Sequence, residues 1–467
     1  MQIGFRLNEP AARAMDVAAR PSVYASSPVL ADRTAPPRQV DVAIVGGGIV
    51  GIATALALAR RRISVALFEK GRLGGEQSTR NWGWCRRIGR DRRELPLAEK
   101  SMQLWRELAR PQGSSIFNRC GIVYLAGNEN QAARYSAYLD DVGPRQSDAR
   151  LLTNGQLAEL LPGTTKTWLS AVHSSGDGRA DPDFAVAELA AAAEREGAQI
   201  FTGCAAREFE TTAGRVSAVV TERGRVACDS LVVAAGAWSS LFCGRHRISL
   251  PQIKVISSVL STEPVESGPK ECVFGEGFTF GRQRDGGYVV GHGGMALLPL
   301  GPEVLRFASQ FFPSLRQEWN FVSSYVRVQV NRLALGDWRD RGRFGRGLPT
   351  PFERRRELSP EPSLDILDDA IERLKNAFPG FRDVRVRKRW AGAMDITPDA
   401  LPVISTVDAV PGLVLGTGFS GHGFGLGPGA GHVLADLATS SKPAVDVSPF
   451  RFSRFSDGTQ LLPGLRF

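Results

Sequence analysis

The pattern of apolar and polar positions predicts short buried strands that alternate with helices. Val40–Val45 and Ser64–Glu69 are short apolar runs typical of buried strands, and Ile49–Arg60 between them is a longer run rich in alanine and leucine, typical of a helix. The apolar stretch Val42–Ala59 has about the length of a membrane span, but three glycines interrupt its centre. The pattern therefore predicts a strand, a tight turn and a helix in place of a membrane span.

Later segments continue the same alternation. An amphipathic pattern predicts a helix over Leu97–Arg110. Asp181 and Pro182 have the residue types of an N-cap and a first helical turn, and Gly197 is suited to end that helix. Further strands are predicted at Gln199–Thr202, Arg215–Thr221, Leu231–Ala235, Tyr288–Gly291 and Tyr325–Val330, and a further helix near Asp365–Phe378.

The charge is strongly basic, with 58 lysines and arginines against 48 acidic residues and a formal net charge of +10. Such a balance fits a polyanionic partner, either nucleic acid or an acidic membrane surface. It also fits an arginine-rich solvated surface, which we favour because acidic residues are interspersed and no nucleic-acid module accompanies the charge. We therefore expect no nucleic-acid partner, while a peripheral membrane contact stays open.

The cysteines and histidines predict neither a disulfide framework nor a metal site. The six cysteines lie far apart and form no CxxC pair, so a reducing cytoplasmic compartment is expected. His173, His246, His292 and His432 do not have the spacing of metal ligands. Residues 1–38 carry scattered charges and no continuous apolar run, which predicts an N-terminal arm and no secretory signal.

The strongest chemical motif is a GxGxxG that follows a predicted strand and begins a predicted helix. Gly46 permits the tight turn, Gly48 lets a pyrophosphate approach the backbone, and Gly51 allows close packing of helix and strand. The helix N-terminus supplies unpaired N–H groups and a positive dipole end. Glu69 ends the next strand, where its carboxylate can accept hydrogen bonds from a ribose and repel a 2′-phosphate. The motif predicts a dinucleotide site and leaves FAD and NAD open.

Four motifs carry a family resemblance: the GxGxxG with Glu69, the loop Gln77–Gly83 (QSTRNWG), the strand ending in AAGAWS at Ser239, and the glycine-rich segment beginning at Gly416. With these motifs the sequence resembles the D-amino-acid oxidase-like FAD-dependent oxidoreductases over roughly residues 39–440. That family includes glycine and sarcosine oxidases, D-amino-acid dehydrogenases and γ-glutamylputrescine oxidoreductase. The resemblance implies FAD as the cofactor.

The resemblance also assigns cofactor-binding residues. They would hold the ADP half, the pyrophosphate, the ribityl chain and the flavin edge, and they are Gly46, Gly48, Ile49, Val50, Gly51, Glu69, Lys70, Ser78, Thr79, Arg80, Asn81, Ala206, Gly236, Trp238, Gly392, Gly418, Ser420, Gly421, His422 and Gly423. The cysteine that binds flavin covalently in sarcosine-oxidase-type members is absent, and Gly392 occupies its region, so the FAD is expected to be non-covalent.

The substrate residues are less clearly marked. Where members with an R-P-x-T-P-D signature place an arginine for the substrate carboxylate, this chain has Met394. Arg87 falls where sarcosine-oxidase-type relatives place another carboxylate-binding arginine. Trp84, Arg282, Tyr325 and Arg327 are further candidates for substrate contact. His422 is the candidate catalytic base, although its ring could equally serve only to orient the loop.

The resemblance implies oxidation of a CH–NH bond in an amine or amino acid. Hydride would pass to flavin N5, and the resulting imine would hydrolyse; reoxidation by O₂ or by a quinone is left open. One alternative on the same scaffold is the oxidation of a 2-hydroxy acid. Another, from a different class, is a flavin-bearing subunit or an RNA-associated protein in which the basic surface matters most.

Pattern and resemblance together predict an α/β fold, with a Rossmann-like FAD-binding domain and an inserted α+β substrate domain that carries a mixed or antiparallel sheet. The predicted bounds are an N-terminal arm at 1–38, the FAD-binding domain at 39–110, 165–245 and 390–440, the substrate domain at 111–164 and 246–389, and a C-terminal tail at 441–467.

Overall fold

The computed structural model describes residues 34–108, 116–146, 148–341 and 349–464. Its strands, in chain order, are β1 (Gln39–Val45), β2 (Val65–Phe68), β3 (Trp84–Cys85), β4 (Phe117–Asn118), β5 (Ile122–Ala126), β6 (Ala149–Leu152), β7 (Ser170–Ser174), β8 (Gly178–Ala180), β9 (Gln199–Phe201), β10 (Ala206–Thr212), β11 (Arg215–Thr221), β12 (Gly224–Val233), β13 (Ile253–Thr262), β14 (Cys272–Gly275), β15 (Phe278–Arg282), β16 (Tyr288–Gly291), β17 (Ala296–Pro299), β18 (Val326–Gln329), β19 (Val386–Ile396), β20 (Val403–Thr406) and β21 (Leu413–Thr417).

Its helices, also in chain order, are α1 (Ile49–Arg60), α2 (Leu95–Leu108), α3 (Glu129–Val142), α4 (Asn154–Leu160), α5 (Pro182–Arg195), α6 (Ser239–Arg245), α7 (Pro302–Arg306), α8 (Ala308–Gln317), α9 (Trp319–Tyr325), α10 (Arg332–Asp340), α11 (Pro351–Arg354), α12 (Leu364–Ala377) and α13 (Gly423–Ala438). Within these residues, no helix is long and apolar enough to cross a membrane.

The first sheet has eight strands and a parallel centre. β1 lies between β2 and β12 and is parallel to both, and β9 continues beyond β2. The long β12 pairs with β11 through its first half and with β21 through its second half. Because α1 connects the parallel strands β1 and β2, this sheet has the Rossmann-like arrangement that the sequence predicts. The predicted fold class is confirmed.

The second sheet has ten strands and is mixed. Its longest pairing is antiparallel, between β13 and β19, while β5 pairs with β14 and β17 pairs with β18 in parallel. It includes β7 and β19, whereas the predicted bounds place residues 165–245 and 390–440 in the FAD-binding domain. The division of the chain at those bounds therefore stays a prediction. A third, three-stranded sheet contains β3, β8 and β4.

Three helices cover one face of the first sheet and bring two helix N-termini together. α1 packs against both α5 and α13, and their apolar side chains form one buried cluster. The α1–α13 contact is close, because a Cβ on Gly431 would lie 2.6 Å from the Ala53 carbonyl carbon. Residues at the start of each helix, Ile49 in α1 and Gly423 in α13, line the same cavity.

The structure describes little of the predicted N-terminal arm but most of the predicted C-terminal tail. Most of the arm lies outside the described residues. The tail is packed against the fold as far as residue 464: Arg454 is 2% exposed, and its Nε donates to Asp399 at 2.9 Å. This buried ion pair holds residues 448–455 against the segment that follows β19.

Candidate functional site

A cavity of about 680 Å³ connects the β1–α1 turn to the start of α13. The turn requires glycine at Gly46, whose φ is +108° and where a Cβ would lie 2.3 Å from the Ala234 carbonyl oxygen. Gly48 differs, because only Ser78 Oγ comes within 4 Å of an added Cβ. The backbone at Gly48 is therefore open to a ligand group in the cavity.

Glu69 organises the turn at this end of the cavity. Its Oε2 accepts a hydrogen bond from the Gly47 N–H at 2.7 Å, and its Oε1 accepts one from the Gly71 N–H at 2.7 Å. Burial raises the pKa of Glu69, although the Lys70 cation and the two N–H donors oppose that rise. A carboxylate has further lone pairs, so Glu69 keeps acceptor capacity for a ribose hydroxyl.

Glu76 is a buried carboxylate that the sequence analysis missed. It accepts hydrogen bonds from Lys70 Nζ at 2.7 Å and from Trp238 Nε1 at 3.0 Å. Burial alone raises the pKa of Glu76, but Lys70 and the other donors outweigh it and the pKa is lowered. Glu76 thus fixes Lys70 and Trp238, two of the predicted cofactor residues, in the cavity wall.

The polar loop after β2 is held by its own side chains. Ser78 Oγ accepts from the Ile49 N–H at 2.9 Å, which ties the loop to the start of α1. Asn81 donates to the Gln77 and Ser78 carbonyls and accepts from the Gly83 N–H at 2.7 Å. Arg80 donates to the Ala391 carbonyl of β19 at 3.2 Å. The loop therefore connects the two sheets beside the cavity.

Asp395, at the end of β19, holds the glycine-rich segment that precedes α13. Its Oδ2 accepts from the Gly418 N–H at 2.8 Å and from Gln252 Nε2 at 3.1 Å, and its Oδ1 accepts from Gln77 Nε2 at 3.1 Å. Burial raises the pKa of Asp395 while these donors oppose the rise. No sequence motif marked this residue for that function.

Most predicted cofactor residues line this cavity: Gly46, Gly48, Ile49, Val50, Glu69, Lys70, Ser78, Arg80, Asn81, Ala206, Gly236, Trp238, Gly392, Ser420, Gly421, His422 and Gly423. Gly51, Thr79 and Gly418 do not line it. Gly51 faces the Gly46 carbonyl, Thr79 is buried and donates to the Gly74 carbonyl, and Gly418 packs on Thr397. These three residues lie behind the residues that line the cavity and pack against them.

Among the predicted substrate residues, Trp84, Tyr325 and Met394 line the cavity. Trp82 lines it as well, with its ring centroid 5.5 Å from that of Trp84. Gly421 lies against Met394, since a Cβ there would be 3.1 Å from the sulfur. These side chains form an apolar wall next to the N-terminus of α13.

The structure contradicts the placement of Arg87 in the cavity. Arg87 donates through Nε to Asp177 at 3.1 Å, through Nη1 to Glu99 at 3.0 Å and through Nη2 to Asp148 at 2.5 Å. Burial lowers the pKa of Arg87, but the three carboxylates outweigh it and the pKa is raised. Because the guanidinium is fully engaged and outside the cavity lining, it is not available to a substrate.

Arg282 and Arg327 also lie outside the cavity lining. Arg327 is on β18 with 53% of its side chain exposed, and it pairs with Asp365 on the surface. Arg282 ends β15, and its carbonyl oxygen accepts from Arg179 Nη1 at 2.7 Å. Strand positions alone do not show which face of the sheet a side chain occupies, and the structure does not bring either arginine to the cavity.

His422 lines the cavity and has a carboxylate partner that the sequence analysis missed. Both oxygens of Glu94 lie 3.2 Å from His422 Nδ1. Glu94 directly precedes α2 and is fully buried. Arg86 and Arg90 also line the cavity and lie close enough to His422 to lower its pKa, and no sequence motif marks either of them. In the described ranges, no three His, Cys, Asp or Glu side chains are grouped as metal ligands.

The geometry fits FAD on three independent observations. The backbone at Gly48 is open to the cavity, Glu69 is placed for a ribose, and α13 begins at the opposite end with its positive dipole end in the cavity wall. No cysteine is among the described residues that line the cavity, in agreement with non-covalent binding.

Comparison with known proteins gives the same assignment. The family model described as "FAD dependent oxidoreductase" matches residues 41–437. The chain is 24% identical to sarcosine oxidase subunit beta of an Arthrobacter species, covering 91% of this chain and 93% of the relative. It is 27% identical to glycine oxidase of Geobacillus kaustophilus, and the match covers 89% of this chain and 97% of the relative.

Solved structures agree with the sequence comparison. L-amino acid deaminase from Proteus vulgaris superimposes with a TM-score of 0.85 at 30% identity and covers 91% of this chain and 99% of that one. L-amino acid deaminase from Proteus myxofaciens, solved in complex with anthranilate, has a TM-score of 0.86 at 29% identity. This match covers 92% of this chain and 96% of the other chain.

Proposed function

Because the chain belongs to the FAD-dependent oxidoreductase family, we propose that it oxidises the CH–NH bond of an amine or amino acid. The observation that carries the proposal is the cavity itself, which joins a dinucleotide-binding turn to an apolar wall beside the start of α13. Relatives named as sarcosine and glycine oxidases, and neighbours named as L-amino acid deaminases, support this substrate class. Bound FAD supplies the acceptor for the hydride, and the imine product hydrolyses.

The chain's own residues have three tasks in this reaction. Glu69 and the start of α1 would hold the adenosine and pyrophosphate end of the cofactor. The N-terminus of α13 would face the flavin, and its dipole would stabilise the negative charge that the flavin gains on reduction. Trp82, Trp84 and Met394 exclude water and limit the positions a substrate can take.

Anaerobic reduction tests the proposal. The FAD-loaded protein is mixed with simple amines, N-methylamines, D- and L-amino acids and 2-hydroxy acids, and the flavin absorbance band is followed. We expect bleaching by at least one compound that carries an oxidisable CH–NH bond. Bleaching by 2-hydroxy acids alone, or by no compound in the panel, would refute the proposed reaction.

Glu69→Ala is expected to weaken FAD binding by about 10-fold or more, because a hydrogen bond to a charged group contributes roughly 1.5–3 kcal/mol. The loss includes the support that Glu69 gives to the Gly47 and Gly71 N–H groups. Glu69→Gln keeps the size and one acceptor oxygen, so its loss should be smaller. Fluorescence titration of the apoproteins with FAD measures the dissociation constants of the wild type and of both variants. Equal affinity for FAD in these three proteins would contradict the assignment of Glu69.

A further inference from the structure

Two cysteine thiols that are far apart in the sequence lie next to each other in the fold. Cys120 precedes β5 and Cys272 begins β14, 152 residues later, and their Sγ atoms are 3.7 Å apart. The backbones meet as well, because the Cys272 N–H donates to the Gly121 carbonyl at 3.1 Å. The sulfur atoms of a disulfide are about 2.05 Å apart, so an approach of roughly 1.7 Å would join these two.

A glycine turn brings the first thiol to the second. Ile122 of β5 is the parallel partner of Cys272, so a straight continuation of β5 would place Cys120 beside Lys270. The chain turns at Gly121 instead, whose φ is +80° and where a Cβ would lie 2.7 Å from His173 Nε2. The turn requires glycine and holds the Cys120 thiol at the Cys272 thiol.

The two thiols have different environments. Cys120 is partly exposed, whereas Cys272 is fully buried. A hydrogen bond from the Cys272 thiol lowers the pKa of the Cys120 thiol; burial opposes this effect, and the Arg179 cation adds to it. Burial, and then the neighbouring Cys120, raises the pKa of Cys272 well above its ordinary value. Cys120 is therefore the thiol that ionises and that a solute reaches first.

Arg179 supplies a positive charge with unpaired donors at the same place. It is 3% exposed, and its Nε and Nη2 atoms have no hydrogen-bond partner among the described residues. A Cβ on Gly281 would lie 3.0 Å from Cys272 Sγ and 3.4 Å from Arg179 Cδ, so the two side chains meet there. A buried cation favours a nearby anion, here the Cys120 thiolate. Because this stabilises the reduced pair, a disulfide formed here would be easy to reduce.

The pair lies beside the apolar wall of the cavity. Trp84 and Phe274 line the cavity, and both belong to the apolar cluster that contains the two thiols. Phe274 lies two residues after Cys272 on β14. A Cβ on Gly281 would also lie 3.3 Å from Trp84 Nε1. Since a bond between the sulfurs acts on a strand that carries part of this wall, the FAD-loaded protein is the form to test.

We propose that Cys120 and Cys272 form a reversible oxidation site, which hydrogen peroxide converts from two thiols to a disulfide. The Cys120 thiolate attacks a peroxide oxygen, the O–O bond breaks, and the released hydroxide takes up a proton to give water. The Cys272 sulfur then attacks the sulfenic sulfur of Cys120; the S–S bond forms, the S–O bond breaks, and the oxygen leaves as water with the Cys272 proton. The thiols lose two electrons, and one peroxide becomes two waters.

Peptide mapping by mass spectrometry tests the site. The reduced, FAD-loaded protein is treated with hydrogen peroxide, and the remaining thiols are blocked with iodoacetamide. We expect the loss of two of the six thiols and a peptide pair linked through Cys120 and Cys272. Cys120→Ser should abolish the link. Cys228→Ala is the matched control, because it removes a buried thiol on β12 and should leave the link intact.

Cys272→Ala separates the two chemical steps. Without the second thiol, the sulfenic acid on Cys120 persists, so dimedone should label Cys120 in this variant and much less in the wild type. Equal labelling in both proteins would contradict the function of Cys272. Cys85 is another thiol close to Cys120, since its pKa responds to Cys120. A link from Cys120 to Cys85 after peroxide treatment would overturn the proposed pair.

Reduction by glutathione distinguishes this site from a structural disulfide. Reduced glutathione, in large excess over its oxidised form, should reopen the wild-type disulfide. Arg179→Gln should make the disulfide about 3- to 10-fold harder to reduce at equilibrium, because the thiolate loses its cation. Arg327→Gln, on the surface, should change nothing. If Arg179→Gln does not fold, the wild-type mapping and reduction decide alone: no link after peroxide treatment, or a link that glutathione leaves closed, would overturn the proposal.

Discussion

Gly48→Val is expected to give a folded protein that retains almost no FAD. The backbone at Gly48 has φ −78° and ψ 175°, which valine adopts without strain. An added Cβ meets only the Ser78 hydroxyl, at 3.1 Å, so the fold accepts the side chain once this hydroxyl moves slightly away. The cavity side of this residue, however, is where the pyrophosphate must approach the backbone, and a branched side chain occupies that space.

The ratio of flavin to protein absorbance after purification measures this prediction, and circular dichroism shows whether the fold is kept. Gly155→Val is the control: it adds the same side chain on α4, where nothing lies within 4 Å of the new Cβ. We expect native flavin content in the control. A Gly48→Val protein that retained its flavin would show that the pyrophosphate binds at another place.

The features that the sequence predicts well are those set by neighbouring residues. Helix α1 is found at the predicted bounds, Ile49–Arg60, because the glycine turn and the apolar period both lie within the same short stretch. Strands β11 and β16 are also found at their predicted bounds. Strand β12 begins at Gly224, seven residues before the predicted Leu231, because exposed charged residues in its first half hide the apolar alternation.

The features that the sequence does not reveal depend on partners far along the chain. Arg86, Arg87 and Arg90 have the same side chain and almost the same position in the sequence. Arg87 differs only in its ion pairs with Asp148 and Asp177, which are 61 and 90 residues away in the sequence. Tertiary pairing of this kind has no local signal, which is why the sequence alone did not show that Arg87 is held by carboxylates outside the cavity lining.

Glu94 and Asp395 illustrate the same limit. Each is a buried carboxylate that positions a loop beside the cavity, and each has its main partners more than 20 residues away. A single acidic residue in a mixed-charge segment is normally on the surface. Only the folded contacts show that these two act inside the protein.

Arg87→Met is expected to destabilise the protein strongly and leave carboxylate binding in the cavity unchanged. Asp177 is fully buried, and its oxygens accept from Arg87 Nε and from the backbone N–H groups of Arg87 and Ile88. Asp148 lies 2.5 Å from Arg87 Nη2. Removing the guanidinium leaves these carboxylates without their counter-ion in a poorly solvated place, which typically costs about 3–5 kcal/mol.

Chemical denaturation of the FAD-loaded proteins measures the free energy of unfolding. Titration with anthranilate, the ligand in one structural neighbour, is followed by the flavin spectrum and measures ligand binding in the cavity. The control Arg327→Met removes an exposed ion pair with Asp365, which is worth about 0–1 kcal/mol. A stable Arg87→Met protein with weakened anthranilate binding would restore Arg87 as the carboxylate partner. A destabilised Arg87→Met protein with normal anthranilate binding would show that Arg87 holds the fold together through Asp148 and Asp177 and does not contact the ligand in the cavity.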